Sequence, residues 1–131
     1  MLDHTGIVVT DAEKARAFYG AIARPLGLAI KDMDPQWFLL GKGENELPYL
    51  WVGTLRPTYW AEGSSAGVNQ MHVAFQADSE EAVKAFYDAG LKAGGTDNGP
   101  PGPRTFAPGY YGAFVLDPDG NNIEAVYRAP T

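Results

Sequence analysis

The sequence predicts an α+β fold made of two tandem β-α-β-β-β modules, residues 1–60 and 68–131, joined by a linker at 61–67 within one domain. Three observations carry this reading. The segment HTGIVVTDAEKARAFYG, beginning at His4, returns as HVAFQADSEEAVKAFYD, beginning at His72, at a constant offset of 68 residues that also pairs Phe18 with Phe86, Tyr19 with Tyr87 and Gly27 with Gly95. Each copy runs from a strand-like stretch through a helix-start signal into apolar residues at helical spacing. Each then breaks into short apolar runs separated by turn residues. A chain of 131 residues is the size of one compact domain with a shared core.

The first strand of each module is HTGIVV or HVAF. A helix follows, opened by the T-x-x-E pattern of Thr10 and Glu13 and by the D-x-x-E pattern of Asp78 and Glu81. Ala15, Phe18, Tyr19 and Ile22 then recur at i, i+3, i+4 and i+7, as do Val83, Phe86, Tyr87 and Gly90, so each helix buries one stripe. LGLAIKDM, QWFLLGKG and PYLWVG supply three strands in the first module. In the second, a weakly defined stretch near 95–106 precedes YYGAFVL and NNIEAVYR, which the turn DPDGN connects. RPTYWAEGSSAGVNQ has the small and polar content of a linker. DNGPPGPRTFAPGYYG, with four prolines, is expected to be a loop outside any central sheet position.

Composition narrows the chemistry. No apolar run reaches the roughly 20 residues that a membrane-spanning helix needs. The chain begins directly in a strand pattern, with no basic region, long apolar stretch or cleavage site before it, so no signal peptide is expected. Zero cysteines exclude disulfides, thiolate ligands and a cysteine nucleophile, and suit a cytoplasmic protein. A net charge of −6 and a pI near 4.7 oppose nucleic-acid binding, and no basic amphipathic stripe points to a membrane surface.

The only two histidines occupy the same position of the repeat. Side chains alternate across a strand, so His4, Gly6 and Val8 face away from Ile7 and Val9, the natural partners of the helix. His72, Ala74 and Gln76 do the same against Val73 and Phe75, and Gly6 and Ala74 leave room beside the rings. In the last strand Glu124 falls opposite Ile123 and Ala125, a carboxylate that needs a partner if it is buried or lines a cavity. Two imidazoles and a carboxylate with open positions suit a divalent metal such as iron, manganese, zinc or nickel.

These residues resemble the vicinal oxygen chelate superfamily, which includes glyoxalase I, extradiol dioxygenases and the fosfomycin and bleomycin resistance proteins. The resemblance spans nearly the whole chain and rests on HTGIVVTD with AFY and PLGL, on HVAF, and above all on GAFVLDPDGNNIEAVY, where D-P-x-G-N-x-I-E matches the family's closing hairpin. It implies two modules whose sheets curve around a central cavity, with His4, His72 and Glu124 as metal ligands. It also implies a small-molecule ligand or substrate and, as is common in the family, a homodimer, in some members with a site that combines one module from each chain. Glyoxalase I would carry a second glutamate in PYLWVG, where Tyr49 or Trp51 takes the inward position, so glyoxalase I proper is not expected. Extradiol dioxygenases share the triad, but also use a pocket histidine that this chain does not have.

Two functions follow. One is a metal-dependent enzyme, a lyase, isomerase or ring-cleaving oxygenase, acting on a substrate with neighbouring oxygens. Glu124 and Tyr111 are its catalytic candidates, and Arg104, Tyr110, Trp51 and Phe38 its substrate-binding candidates, Arg104 for a carboxylate or phosphate. The other is a non-enzymatic protein of the bleomycin-resistance type that sequesters a ligand, possession of the triad counting against it. A member that keeps the fold without the chemistry is a third.

Overall fold

A computed structural model describes residues 1–44 and 46–130. The elements run β1 (His4–Val8), α1 (Ala12–Ala23), β2 (Ala29–Asp34), β3 (Trp37–Gly41), β4 (Tyr49–Gly53), β5 (His72–Gln76), α2 (Glu80–Lys92), β6 (Thr96–Pro103), β7 (Tyr110–Leu116) and β8 (Asn122–Arg128). The predicted repeat is the observed one: α+β, with each module folded as β-α-β-β-β.

Each module forms a four-stranded mixed sheet of the same order, β1-β4-β3-β2 and β5-β8-β7-β6. The first strand lies parallel to the last, and the other pairs are antiparallel. The helix that follows the first strand lets the chain cross to the far edge of the sheet before it returns by hairpins. Between β4 and β5 the chain runs through turns, where Arg56 stacks on Trp60 at 5.4 Å and donates to the carbonyls of Ser64 and Ala61.

The helix starts differ from expectation by one residue. Asp11 and Ser79, again 68 apart in sequence, are the N-caps, accepting from the backbone N–H of Lys14 and Ala82 at 3.0 Å each. Thr10 is engaged elsewhere: its hydroxyl donates to Asp119 at 2.6 Å and its backbone N–H to the same carboxylate at 2.9 Å. A side chain committed to a distant turn is not available to cap the helix beside it.

The expected apolar stripes build one core shared by both modules. Phe18, Tyr19, Ile22, Val83 and Phe86 are fully buried, and α1 packs on α2 while each covers its own sheet. Gly95 makes the junction possible, since a Cβ there would lie 2.5 Å from Val115 Cγ1 and 2.7 Å from Phe18 Cε1. Tyr19, inside this core, donates to Asp117 at 2.6 Å.

The proline-rich segment departs from its expected loop. Residues 96–103 form strand β6, and only 104–109 remain irregular. The prolines are tolerated because β6 is an edge strand whose register slips between Asp97 and Gly99 and again between Gly99 and Gly102, so few of its N–H groups are required. Among the described residues no helix is long and apolar enough to cross a membrane.

The two sheets do not close on each other within the chain. The helices occupy the layer between their backs, so the two remaining faces, which carry the histidines, are both turned away from the core.

Candidate metal and substrate site

On β8, alternation sends Ile123 and Ala125 into the core and leaves Asn122, Glu124, Val126 and Arg128 on the open face of the second sheet. Glu124 is nevertheless only 3 % exposed. The Tyr110 hydroxyl donates to its Oε2, and His72 Nε2 lies 3.3 Å from Oε1. Gly112 gives this pair its space, as a Cβ there would sit 3.1 Å from Glu124 Oε2 and 3.2 Å from the Tyr110 ring. Burial first, then the hydrogen bond to Glu124 and its negative charge, push the Tyr110 phenol up to about 12. The phenol therefore keeps its proton at neutral pH and serves as a donor.

His72 is oriented by β8. Its Nδ1 lies 3.0 Å from the Asn122 carbonyl oxygen and 3.1 Å from the Asn122 side-chain amide nitrogen, contacts that favour opposite proton placements. The carbonyl contact is shorter and comes from backbone fixed in the sheet, whereas a side-chain amide can turn over. Assigned on that ground, the proton sits on Nδ1 and the Nε2 lone pair faces the buried carboxylate. A lone pair and a carboxylate oxygen at 3.3 Å repel unless a proton or cation lies between them. His4 repeats the arrangement with a different acceptor: its Nδ1 bonds Asp3 Oδ1 at 2.7 Å, and its ring stacks on Tyr49 at 4.9 Å between centroids. Both rings thus offer Nε2 to whatever approaches the sheet face, the orientation that an outer acceptor imposes on a metal-binding imidazole.

The open face of the first sheet carries an indole where the second carries a carboxylate. Trp51 pairs with Gly6 as Glu124 pairs with Ala74, so tryptophan occupies the glutamate's position in the repeat. It stacks against Trp37 at 6.0 Å between centroids. Gly53 accommodates the two indoles, because a Cβ there would lie 2.5 Å from Trp37 Cβ and 2.8 Å from the Trp51 ring.

Of the candidate residues, His72, Glu124 and Tyr110 come together, and Arg104 lies close by with its guanidinium 5.5 Å above the Phe114 ring, beside Glu124 in register. His4 and Trp51 lie on the first sheet. Among the described residues no three His, Asp or Glu side chains gather to hold a metal within one chain. The donor types fit a divalent cation, but only two of the three expected ligands meet. Two other expectations are corrected. Tyr111 points to the helix side with Ala113 and packs against the core, so it cannot reach Glu124, and the neighbouring Tyr110 can. Phe38 is 2 % exposed, with its ring 6.3 Å from that of Tyr19 in the core, and is no wall of the open face. Strand alternation could have found both. It also marks Asn122 and Arg128, two residues before and four after Glu124, which the sequence reading left out.

A model of the glyoxalase/bleomycin resistance protein/dioxygenase superfamily matches residues 1–125. The chain belongs to this superfamily. Among solved structures, a glyoxalase/bleomycin resistance protein from Albidiferax ferrireducens is 29% identical with a TM-score of 0.75, covering 98% of this chain and 99% of its own. A glyoxalase-related enzyme from Fulvimarina pelagi shares the fold at 19% identity and TM-score 0.74, over 97% of this chain and 87% of its own. A glyoxalase/bleomycin resistance protein/dioxygenase family enzyme from Burkholderia phytofirmans shares it at 19% identity and TM-score 0.69, over 97% and 98%. No curated protein matches the chain. In this superfamily member the likeness extends over both modules.

Proposed function

We propose that this superfamily member is a metal-dependent enzyme acting on a small molecule with two neighbouring oxygens, its centre formed by His72 and Glu124 of one copy and His4 of a second copy. The observation that carries this is His72 Nε2 held 3.3 Å from a buried carboxylate that, among the described residues, has no lysine or arginine partner. Three features support completion by a second copy. Both histidine faces turn away from the helical layer, both imidazoles are about half exposed, with side-chain exposures of 53% and 52%, and both have Nδ1 held by an oxygen.

A divalent cation held there would polarise substrate oxygens as a Lewis acid. Tyr110, with its proton retained, donates to Glu124 and orients its carboxylate. Trp51 and Trp37 of the opposing sheet form an apolar wall that excludes water and stacks on planar substrates. That same aromatic face favours a second reading, a binder that sequesters an aromatic ligand. The absence of cysteine supports a cytoplasmic setting.

Metal content of the purified protein, together with its mass in solution, tests the proposal. We expect a dimer with near-stoichiometric metal, and loss of the metal from His4→Ala, His72→Ala and Glu124→Ala. A His4→Ala protein that keeps its full metal content would remove the shared triad. Wild-type protein that stays empty when offered iron, manganese, zinc and nickel would favour the binder.

A further inference from the structure

We propose that Arg104 and Arg128 form an anion subsite beside Glu124, so that the ligand of this site carries a carboxylate or phosphate group. This deepens the reading above, since it takes the Glu124 face as the site, but it does not depend on a metal.

Acidic residues outnumber basic ones by 16 to 10, yet neither Arg104 nor Arg128 has a carboxylate partner among the described residues. Both instead lie on aromatic rings of one sheet face. The Arg128 guanidinium sits 4.8 Å from the Tyr110 ring centre, and that of Arg104 5.5 Å from the Phe114 ring centre. Tyr110 and Arg128 are register partners, as are Phe114 and Glu124, so the two cations flank the strand pair that carries the buried carboxylate.

The Arg104 position is also built. Its guanidinium crosses β6 over Gly99 and Gly102, where a Cβ would stand 3.3 and 3.1 Å from its nitrogens. Two backbone carbonyls, of Pro100 at 2.6 Å and Pro103 at 3.3 Å, accept from it, and its own N–H bonds the Tyr110 carbonyl at 2.9 Å. The group is fixed in place with only two of its five donors given to carbonyls. A planar guanidinium held over a ring and short of acceptors suits a carboxylate or phosphate more than a neutral group. Glu124 accepts from Tyr110 and, among the described residues, forms no ion pair with either arginine. Phe106, whose ring meets that of Tyr110 edge-on at 5.2 Å, gives the same corner an apolar side.

Metal-free protein titrated with benzoate, phenylphosphate and the neutral benzamide, followed by shifts of the Tyr110–Phe114 amide resonances, tests the subsite. We expect the two anions to bind and benzamide to bind at least about tenfold more weakly. Arg128→Gln and Arg104→Gln should each weaken the anions about fivefold or more while leaving benzamide unchanged. Arg104→Lys keeps charge while losing the planar fork, and should fall between them. Preference for phenylphosphate or for benzoate would assign the group. Equal binding of benzamide and both anions, or full anion affinity in Arg128→Gln and Arg104→Gln, would overturn the proposal. The metal content of Arg128→Gln separates the two readings: retained metal with lost anion binding removes neither, whereas anion binding in protein that never takes up metal leaves the subsite standing and removes the metal centre.

Discussion

The Tyr19 hydroxyl donates to the Asp117 carboxylate across 2.6 Å, although 98 residues separate the two. The bond joins a helix of the first module to the β7–β8 turn of the second. Asp117 also accepts from the backbone N–H of Asp119 and Asn121 and from the Asn121 side chain, each at 2.9 Å. Asn121 in turn accepts from the Met71 N–H at 2.8 Å, immediately before His72. Removing the hydroxyl with Tyr19→Phe should cost about 1.5–3 kcal/mol, the range for a buried hydrogen bond to a charged group. Urea unfolding measures it, and a loss below a few tenths would mean the turn holds itself.

Alkaline pH should weaken the fold in two overlapping steps. Tyr19 is pushed well above its ordinary value by burial first and then by Asp117, and Tyr110 up to about 12 by burial first and then by Glu124. Both folded values lie above the unfolded phenol near pH ~10. The stability from each neutral phenol is therefore fully present below about pH 10 and falls away as pH rises through the folded value. Urea midpoints should decline above about pH 10. Tyr110→Phe should flatten the part that ends near 12 while leaving the Tyr19 part.

If the centre is shared, defective chains should complement. Mixing equal amounts of His4→Ala and Glu124→Ala, after unfolding and refolding together, should recover about a quarter of the wild-type metal, since half the dimers are mixed and each has one intact centre. Recovery of none, with mixed dimers confirmed by native mass spectrometry, would place the ligands in one chain.

Gly95→Ala should destabilise the protein by about 1–3 kcal/mol, the usual cost of overpacking a filled core. The added Cβ meets Gly90 O at 2.7 Å as well as Phe18 and Val115, and backbone cannot yield as a flexible side chain does. Thermal unfolding against wild type gives the value.

Much of this was legible in the sequence because both periods were present in it. Two-residue alternation fixes which face His4, His72 and Glu124 take, and the stripe from Ala15 to Ile22 fixes the buried face of α1. The errors have physical causes. Thr10 and Asp78 look like helix caps by type, but Asp119 takes Thr10, and Ser79 stands one residue nearer the α2 helix than Asp78. Prolines exclude central strands, and nothing in a single sequence says that β6 lies at an edge. Tyr110 and Tyr111 are adjacent and identical in type, and only the alternation of β7, with Ala113 and Val115 turned inward, tells which one meets Glu124. How the modules face each other is a matter of helix packing across Gly90 and Gly95, which periodicity does not describe.

The core formed by Phe18, Ile22, Phe86 and Val115 lies entirely inside one chain. On the proposed assembly, folding and the completion of chemistry are therefore separate events. A lone chain reaches its native interior without help and simply lacks a working centre. Dilution would then silence the protein while leaving it resistant to proteolysis, so its activity would report its own abundance in the cell.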